Sequence, residues 1–152
     1  MSEHLDFRWM HGQHIADVSE TSSVFWQFRL SSSGSITAES LWRLIRDGRI
    51  AVTGDDHGQH FGLPEPIDAA SRVLSILAGA VIQRVDIRDG TADLFIEFDP
   101  PFRLEVLSSS SGFESWQIYE PDGGCIVAQG GGQLCYAPPV GAPRITKGIP
   151  IR

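Results

Sequence analysis

The residues of this chain with the clearest capacity for chemistry are histidines. The tetrapeptide His-Gly-Gln-His occurs at residues 11–14 and again at residues 57–60. Imidazole nitrogens are common ligands of Zn²⁺ and Ni²⁺. If the two copies meet in space, the pattern predicts a transition-metal site, and no other cofactor is predicted. Its candidate ligands are His11, His14, His57 and His60.

A second interpretation of the two tetrapeptides needs no metal. Two histidines three residues apart can share a metal ion when they lie on a helix, but the glycine in each copy disfavours a helix. Both copies would then be glycine-containing turns whose imidazoles face solvent. We favour this interpretation, because short motifs without a structural context seldom identify a site.

Two glutamates form the second candidate group. Glu39-Ser40 and Glu114-Ser115 each stand shortly before a tryptophan, Trp42 and Trp116. A pair of carboxylates can perform acid–base chemistry, as in hydrolases that use two acids. The alternative is that each Glu-Ser unit fixes a turn before a strand. We favour the turn, since no pattern around either glutamate indicates a cleft, and we predict no catalytic residue.

Other motifs with known chemistry are missing from the sequence. It has no Gly-x-Ser-x-Gly elbow, and the triple glycine at 130–132 has no Lys-Ser/Thr partner for binding phosphate. Cys125 and Cys135 form no Cys-x-x-Cys motif, so we expect them to pack as small apolar side chains. Among the tryptophans, we expect Trp9 to be the exposed one.

Composition excludes several classes of function. The formal net charge is −7, from 19 acidic and 12 basic residues, without a basic run, so no nucleic-acid partner is expected. The longest apolar stretch, residues 73–82, is too short for a membrane span. The N-terminus lacks the features of a signal peptide, and two cysteines fit a reducing compartment. We therefore expect a cytoplasmic protein.

The elements that must position these residues are mostly strands. Apolar and polar residues alternate along many short segments separated by Gly, Pro, Asp and Ser. One segment, about residues 68–78, instead carries apolar residues at helical spacing after Asp68, which can cap a helix. The predicted strands are residues 13–19, 24–30, 35–45, 49–52, 81–87, 92–98, 102–107, 116–119, 125–129 and 133–136.

The strand pattern repeats along the chain. Each half has an Ile-x-x-Val strand, an alternating apolar strand, a Glu-Ser unit before Trp, and an Asp-Gly turn before a closing strand. We predict an α+β fold, mostly antiparallel β, with two β-meander halves, about 12–53 and 79–136, around one helix. Internal duplication is one explanation, and chance similarity between meanders is the other. The halves would form one curled sheet or a partly closed barrel.

We expect residues 1–136 to form a single β-rich domain. The remaining residues, 137–152, contain four prolines and are interpreted as an extended or disordered tail.

Several segments resemble an element of uncharacterised bacterial proteins. The resemblance rests on Ser-Gly-Phe-Glu-Ser-Trp-Gln at 111–117, Pro-Asp-Gly at 121–123 and Gln-Gly-Gly-Gly at 129–132. The segments 56–59 and 61–64 are similar to the same group, and the resemblance covers about residues 12–136. It implies a family of unknown function and brings no activity, cofactor or catalytic residue.

Three classes of function remain open. We favour a non-catalytic protein-interaction module, of which a toxin-neutralising immunity protein is one version by analogy. The second is a metal-binding protein or metal-dependent enzyme that uses the two His-Gly-Gln-His segments. The third is a small-molecule binding module with a pocket between the halves. An exposed meander edge also makes a homodimer plausible.

Overall fold

The computed structural model describes residues 5–23, 25–99 and 101–139. Their apolar alternation produces short antiparallel strands and one α-helix, so the predicted α+β class is confirmed. The helix, α1, is Ala69–Ile76. The strands are β1 (Ile15–Glu20), β2 (Trp26–Leu30), β3 (Ser35–Ala38), β4 (Trp42–Arg46), β5 (Arg49–Thr53), β6 (Ile82–Ile87), β7 (Leu94–Phe98), β8 (Phe102–Val106), β9 (Trp116–Tyr119), β10 (Cys125–Ala128) and β11 (Leu134–Ala137).

The strands form two antiparallel sheets in which the halves of the chain interleave. The six-stranded sheet has the order β1-β2-β3-β9-β10-β11, and the five-stranded sheet has the order β5-β4-β8-β7-β6. Each half therefore opens with a three-stranded meander in one sheet and then crosses to the other sheet. Among the described residues the strands form these two separate sheets, and neither the expected single curled sheet nor the barrel.

The first half crosses between the sheets at Glu39-Ser40. Residues 35–45 were described as strand-like, with a turn favoured at Glu39-Ser40, and they form β3 and β4 on either side of it. The sequence did not indicate that the two strands belong to different sheets, because apolar alternation continues on both sides of the turn. The chain leaves the first sheet after Ala38, and Trp42 then turns into the core from the second sheet.

The strand pairings relate the two halves by an approximate twofold. Ala38 of β3 lies opposite Trp116 of β9, and Val106 of β8 lies opposite Trp42 of β4. The β1–β2 and β6–β7 pairs also have a register shift at the same point, directly after their first residues, Ile15 and Ile82. A bulge is a specific local feature, and its recurrence at matching positions is a further likeness between the two halves. Internal duplication stays a prediction.

The core lies between the sheets and is rich in aromatic residues. Trp26 and Phe28 pack edge-to-face on Trp42, with centroid separations of 5.3 and 5.2 Å. The Nε1 of Trp116 donates to the carbonyl oxygen of Ala92 at 2.7 Å, so the second repeated tryptophan is also fixed in the interior. Both repeated tryptophans therefore anchor the core.

Helix α1 covers one open side between the sheets. The carboxylate of Asp68 accepts a hydrogen bond from the backbone N–H of Ser71 at 3.1 Å, which is the predicted N-cap. Ala69 and Val73 are buried against β1 and β5. No helix within the described residues is long and apolar enough to cross a membrane.

The N-terminal segment ties the two sheets together. Residues 12 and 13 exchange backbone hydrogen bonds with Ile82 at the start of β6, each at 2.8 Å. Trp9, which was expected to be exposed, is half-buried and lies against Gly34 in the β2–β3 turn. Ala137, the first residue assigned to the expected tail, belongs to β11. Residues 140–152 lie outside the described part of the chain.

Candidate functional site

The two glutamates singled out in the sequence meet at the point where the halves cross. The Nε2 of Gln117 donates to the Oε2 of Glu39 at 2.6 Å and to the Oε1 of Glu114 at 2.9 Å. Gln117 is only 4% exposed, whereas Glu39 is half-buried and Glu114 is exposed. One neutral amide therefore holds two carboxylates together near the surface.

Strand alternation explains why Gln117 lies outside the core. Trp116 and Ile118 of β9 point into the interior, so Gln117 between them points to the outer face of the six-stranded sheet. Glu39 follows β3, the neighbour of β9, and its backbone N–H donates to the carbonyl oxygen of Ser115 at 2.8 Å. Neighbouring strands thus carry both glutamates to one amide.

The glutamates are not related by the approximate twofold. When Trp42 is matched with Trp116, Glu39 stands three residues before its tryptophan and Glu114 two residues before its own. They meet because β3 and β9 pair in one sheet. The repeated Glu-Ser unit therefore does not explain why the two glutamates meet, whereas the pairing of β3 with β9 does.

A surface cleft of about 460 Å³ opens beside the two carboxylates. We call it the Glu39–Glu114 cleft. Its walls combine aromatic, hydroxyl and carboxylate groups. The lining residues are Phe25, Glu39, Ser40, Ser109, Ser110, Phe113, Glu114 and Ser115.

The rim of this cleft presents a phenylalanine to solvent. Phe113 is 81% exposed, the highest value among the large apolar side chains that the structure describes. Its backbone is nevertheless held in place, because the Oγ of Ser110 accepts from the N–H groups of Gly112 and Phe113 at 3.0 and 2.9 Å. The side chain is thus displayed on an ordered turn.

The charges of the cleft influence two neighbouring groups on the same sheet. Burial, followed by the charge of Glu114, raises the pKa of the Cys125 thiol to about 11. The pKa of Tyr119 is also raised, first by burial and then by Cys125, Glu39 and Glu114. Within the part of the chain that is described, no Lys, Arg or His forms an ion pair with either glutamate. The cleft is therefore an uncompensated acidic site.

The four predicted metal ligands lie in surroundings of different kinds. His11 lines a groove with Asp6 and Arg84, and the backbone N–H of His14 donates to the Oγ of Ser31 at 3.0 Å. The Nδ1 of His60 lies 3.3 Å from the carbonyl oxygen of Leu63. All four histidines are exposed, which agrees with the interpretation of both tetrapeptides as turns.

His57 has a structural contact of its own. Its Nδ1 accepts a hydrogen bond from the backbone N–H of Ala69, the first residue of α1, at 3.1 Å. Its ring also packs edge-to-face on Trp26 at 5.2 Å. An Nδ1 that accepts a backbone hydrogen bond cannot carry a proton or a metal at the same time. This imidazole therefore joins the loop to the helix start.

Within the described ranges, no group of three or more His, Cys, Asp or Glu side chains is close enough together to hold one metal ion. Metal binding by the two tetrapeptides stays a prediction. The cysteines are free and lie on the same face of β10 and β11, but the residue opposite Cys135 is Val127, so the two are diagonal neighbours.

Sequence reasoning missed Phe113, which lines the cleft, and Gln117, which holds its two carboxylates. Gln117 looks like an ordinary outward residue of an alternating strand, and Phe113 like one more apolar residue near a glycine. Only the pairing of β3 with β9 reveals that the amide bridges two acids. A polar residue inside the otherwise apolar run 116–119 was the one available signal.

Comparison with known proteins places the chain in a family. No curated protein matches it, and no solved structure matches it. A family model described as a family of unknown function, DUF6188, matches residues 7–137, which confirms the expectation of an uncharacterised family. The match spans most of the sequence, and the chain therefore belongs to DUF6188.

Proposed function

We propose that this protein is a non-catalytic protein-interaction module whose contact surface is centred on the Glu39–Glu114 cleft. The exposure of Phe113, 81% on a turn fixed by hydrogen bonds, is the observation that carries the proposal. A large apolar side chain held in solvent loses little conformational freedom on binding and gains much from burial, which is the property of an interface anchor.

The surroundings of Phe113 support the same function. Phe25 lines the same cleft as Phe113, and Leu41, which follows the lining residue Ser40 in the sequence, is 44% exposed. Apolar groups beside serine hydroxyls and carboxylates resemble the mixture of an interface centre and its polar rim. The amide of Gln117 holds both carboxylates, which suits recognition better than proton transfer.

The net charge of −7 narrows the choice of partner. Opposite charge accelerates the encounter of two proteins and disfavours wrong partners. A basic protein is the complement of this surface. Neutralisation of a basic toxin by an immunity protein is one version of such a function.

The test compares three forms of the tagged full-length protein in pull-downs from the organism that encodes it. The wild type should retain a protein that Phe113→Ser loses. Phe61→Ser is the matched control, because Phe61 is also exposed, at 68%, but lies in the loop before α1. The control variant should retain the partner.

Titration calorimetry with the purified partner then measures the effect directly. We expect Phe113→Ser to weaken binding at least about tenfold, as for an anchor residue worth about 1.4 kcal/mol or more. Equal affinity of the wild type and Phe113→Ser would contradict the proposal. The proposal would also be contradicted if Phe61→Ser lowered the affinity and Phe113→Ser did not.

A further inference from the structure

Corresponding positions on the outer faces of the two sheets hold different side chains. Since Trp42 corresponds to Trp116, the next residue outward is Arg43 in β4 and Gln117 in β9. Arg43 lies opposite Glu105 of β8, whereas Gln117 lies opposite Thr37 of β3. The molecule thus offers an internal comparison between an arginine and a glutamine at one position of the fold.

In the five-stranded sheet, guanidinium groups satisfy the carboxylate. Glu105 is only 2% exposed, and its two oxygens accept from the Nε atoms of Arg43 and Arg103, each at 2.6 Å. Arginine suits this role because its charge is permanent and its donors lie in a rigid plane. This sheet therefore supplies its own cations.

In the six-stranded sheet, a neutral amide stands where that cation would be. Gln117 gives its two N–H donors to Glu39 and Glu114, so one oxygen of each carboxylate has no hydrogen-bond partner among the described residues. Gln117 itself is only 4% exposed and does not line the cleft, so its amide serves to hold the two carboxylates beside it. Two carboxylate oxygens and two negative charges are left at one place.

We propose that the Glu39–Glu114 cleft receives an arginine side chain of the protein partner. A guanidinium carries five donors in one plane, which suits several acceptors held close together. Phe113 and Phe25 provide aromatic walls for the planar group and its apolar stem. The inference rests on the proposed function and adds the chemistry of the contact.

The probe for this inference is N-acetyl-arginine methylamide, added to isotope-labelled full-length protein and followed by NMR. We expect saturable shifts of the Gln117 side-chain amide and of the backbone at 39–40 and 113–115. The citrulline counterpart has the same shape without the charge and should cause no such shifts. Equal responses to arginine and citrulline, or no response to arginine, would overturn the inference.

Two double variants that each remove two negative charges, one inside the cleft and one outside it, test the role of the carboxylates. Glu39→Gln combined with Glu114→Gln should weaken arginine binding about tenfold or more, since charge-assisted hydrogen bonds are lost. Glu65→Gln combined with Glu97→Gln removes the same charge outside the cleft and should leave the binding unchanged. If both double variants weaken arginine binding to the same extent, long-range attraction explains the weakening and the cleft is not the site. If neither weakens it, the two carboxylates do not bind arginine.

The same variants separate this inference from the proposed function. If Glu39→Gln/Glu114→Gln keeps full affinity for the protein partner while Phe113→Ser loses it, the interaction surface stands and the arginine contact is wrong. If Phe113→Ser also keeps full affinity, the proposed function itself fails. Stronger shifts with the lysine derivative than with arginine would overturn the choice of a guanidinium.

Discussion

At the scale of single residues, the outer face of each sheet carries a polar side chain that is buried, although residues on this face would ordinarily be exposed to solvent. Glu105 and Gln117 are both almost fully buried although each points away from the core. Buried polar groups are costly unless they are paired. Glu105 is fully paired by two arginines, whereas Gln117 is paired only through its nitrogen. The first residue is a structural link, and the second lies beside the proposed binding surface.

The pairing of Glu105 predicts a loss of stability on substitution. Glu105→Gln should lower the free energy of unfolding by about 2 kcal/mol, because two charge-assisted hydrogen bonds are weakened at a buried site. Both arginines are partly exposed, which limits the loss. Urea denaturation measures it.

The control for this prediction is the exposed pair of Arg84 and Asp86, whose side chains are 68% and 46% exposed. Asp86→Asn should change the free energy of unfolding by less than about 1 kcal/mol. A loss for Glu105→Gln no larger than that for Asp86→Asn would show that the buried network does not stabilise the fold.

The thiol of Cys125 gives a prediction about pH. Its pKa of about 11 exceeds the ordinary value of 9.0, so the folded protein favours the protonated thiol. Stability from this group is complete below pH 9 and is lost as the pH rises towards 11. Because the thiolate is the nucleophile, iodoacetamide should modify Cys125 slowly at pH 8 in the folded protein.

Mass spectrometry of a Cys135→Ser variant isolates the reaction of Cys125. Alkylation in the folded state should be at least about tenfold slower than in guanidinium chloride, as a shift of one or more pKa units implies. Equal rates in the two states would contradict the effect of burial.

At the scale of elements, most strands followed from alternation and α1 from its cap and apolar spacing. Strands β9 and β6 lie at or within one residue of their predicted limits, because turns containing Gly, Pro or Asp bound them. A turn at Glu39-Ser40 was expected, but the change of sheet between β3 and β4 could not be predicted, since the apolar pattern of residues 35–45 does not record it. The cleft depends on that change of sheet. The sequence therefore drew attention to Glu39 and Glu114 but did not predict that they lie close together.

Removing the N-cap of α1 should lower the free energy of unfolding. Asp68→Ala should destabilise the protein by about 1 kcal/mol, whereas Asp68→Asn keeps the hydrogen-bond acceptor and should cost less. The hydrogen bonds from Ser71 hold the pKa of Asp68 below its usual 3.8. The stabilisation is therefore present at neutral pH and disappears as the pH falls below 3.8.

Thermal unfolding of both variants at pH 7 and pH 3 tests this cap. The difference between wild type and Asp68→Ala should shrink at the lower pH. A difference that is the same at both values would mean that the Asp68 carboxylate does not stabilise the helix.

Two glycines connect the Phe113 turn to the β10–β11 turn. A Cβ added to Gly130 would collide with the backbone of Gly112, whereas one added to Gly112 would meet open space. Gly130→Ala should therefore cost about 1–3 kcal/mol, the usual range for overpacking, and Gly112→Ala much less. Chemical denaturation compares the two, and equal stability of both variants would contradict this contact.

At the scale of the whole molecule, the halves cannot complete a sheet alone. Each sheet contains strands from both sides of α1, and the pairs β3–β9 and β4–β8 join the halves. A fragment of residues 1–66 and a fragment of residues 67–152 should each lack stable structure. Mixed together, they should recover the circular dichroism spectrum of the intact chain.

A fragment that folds cooperatively by itself would contradict this interleaved architecture. The outcome also bears on duplication, because an ancestral half of this kind would have needed a second copy to complete its sheets. Homodimerisation of the present chain through a sheet edge stays a prediction, and sedimentation measures it.

The central claim is that Phe113 touches a protein partner, and photo-crosslinking from that position tests it most directly. Replacing Phe113 with p-benzoylphenylalanine in cells of the source organism should yield, after irradiation, one dominant adduct with another protein. The same replacement at Phe61 should not yield that adduct. The account is contradicted if position 113 gives no adduct, or if both positions give the same one.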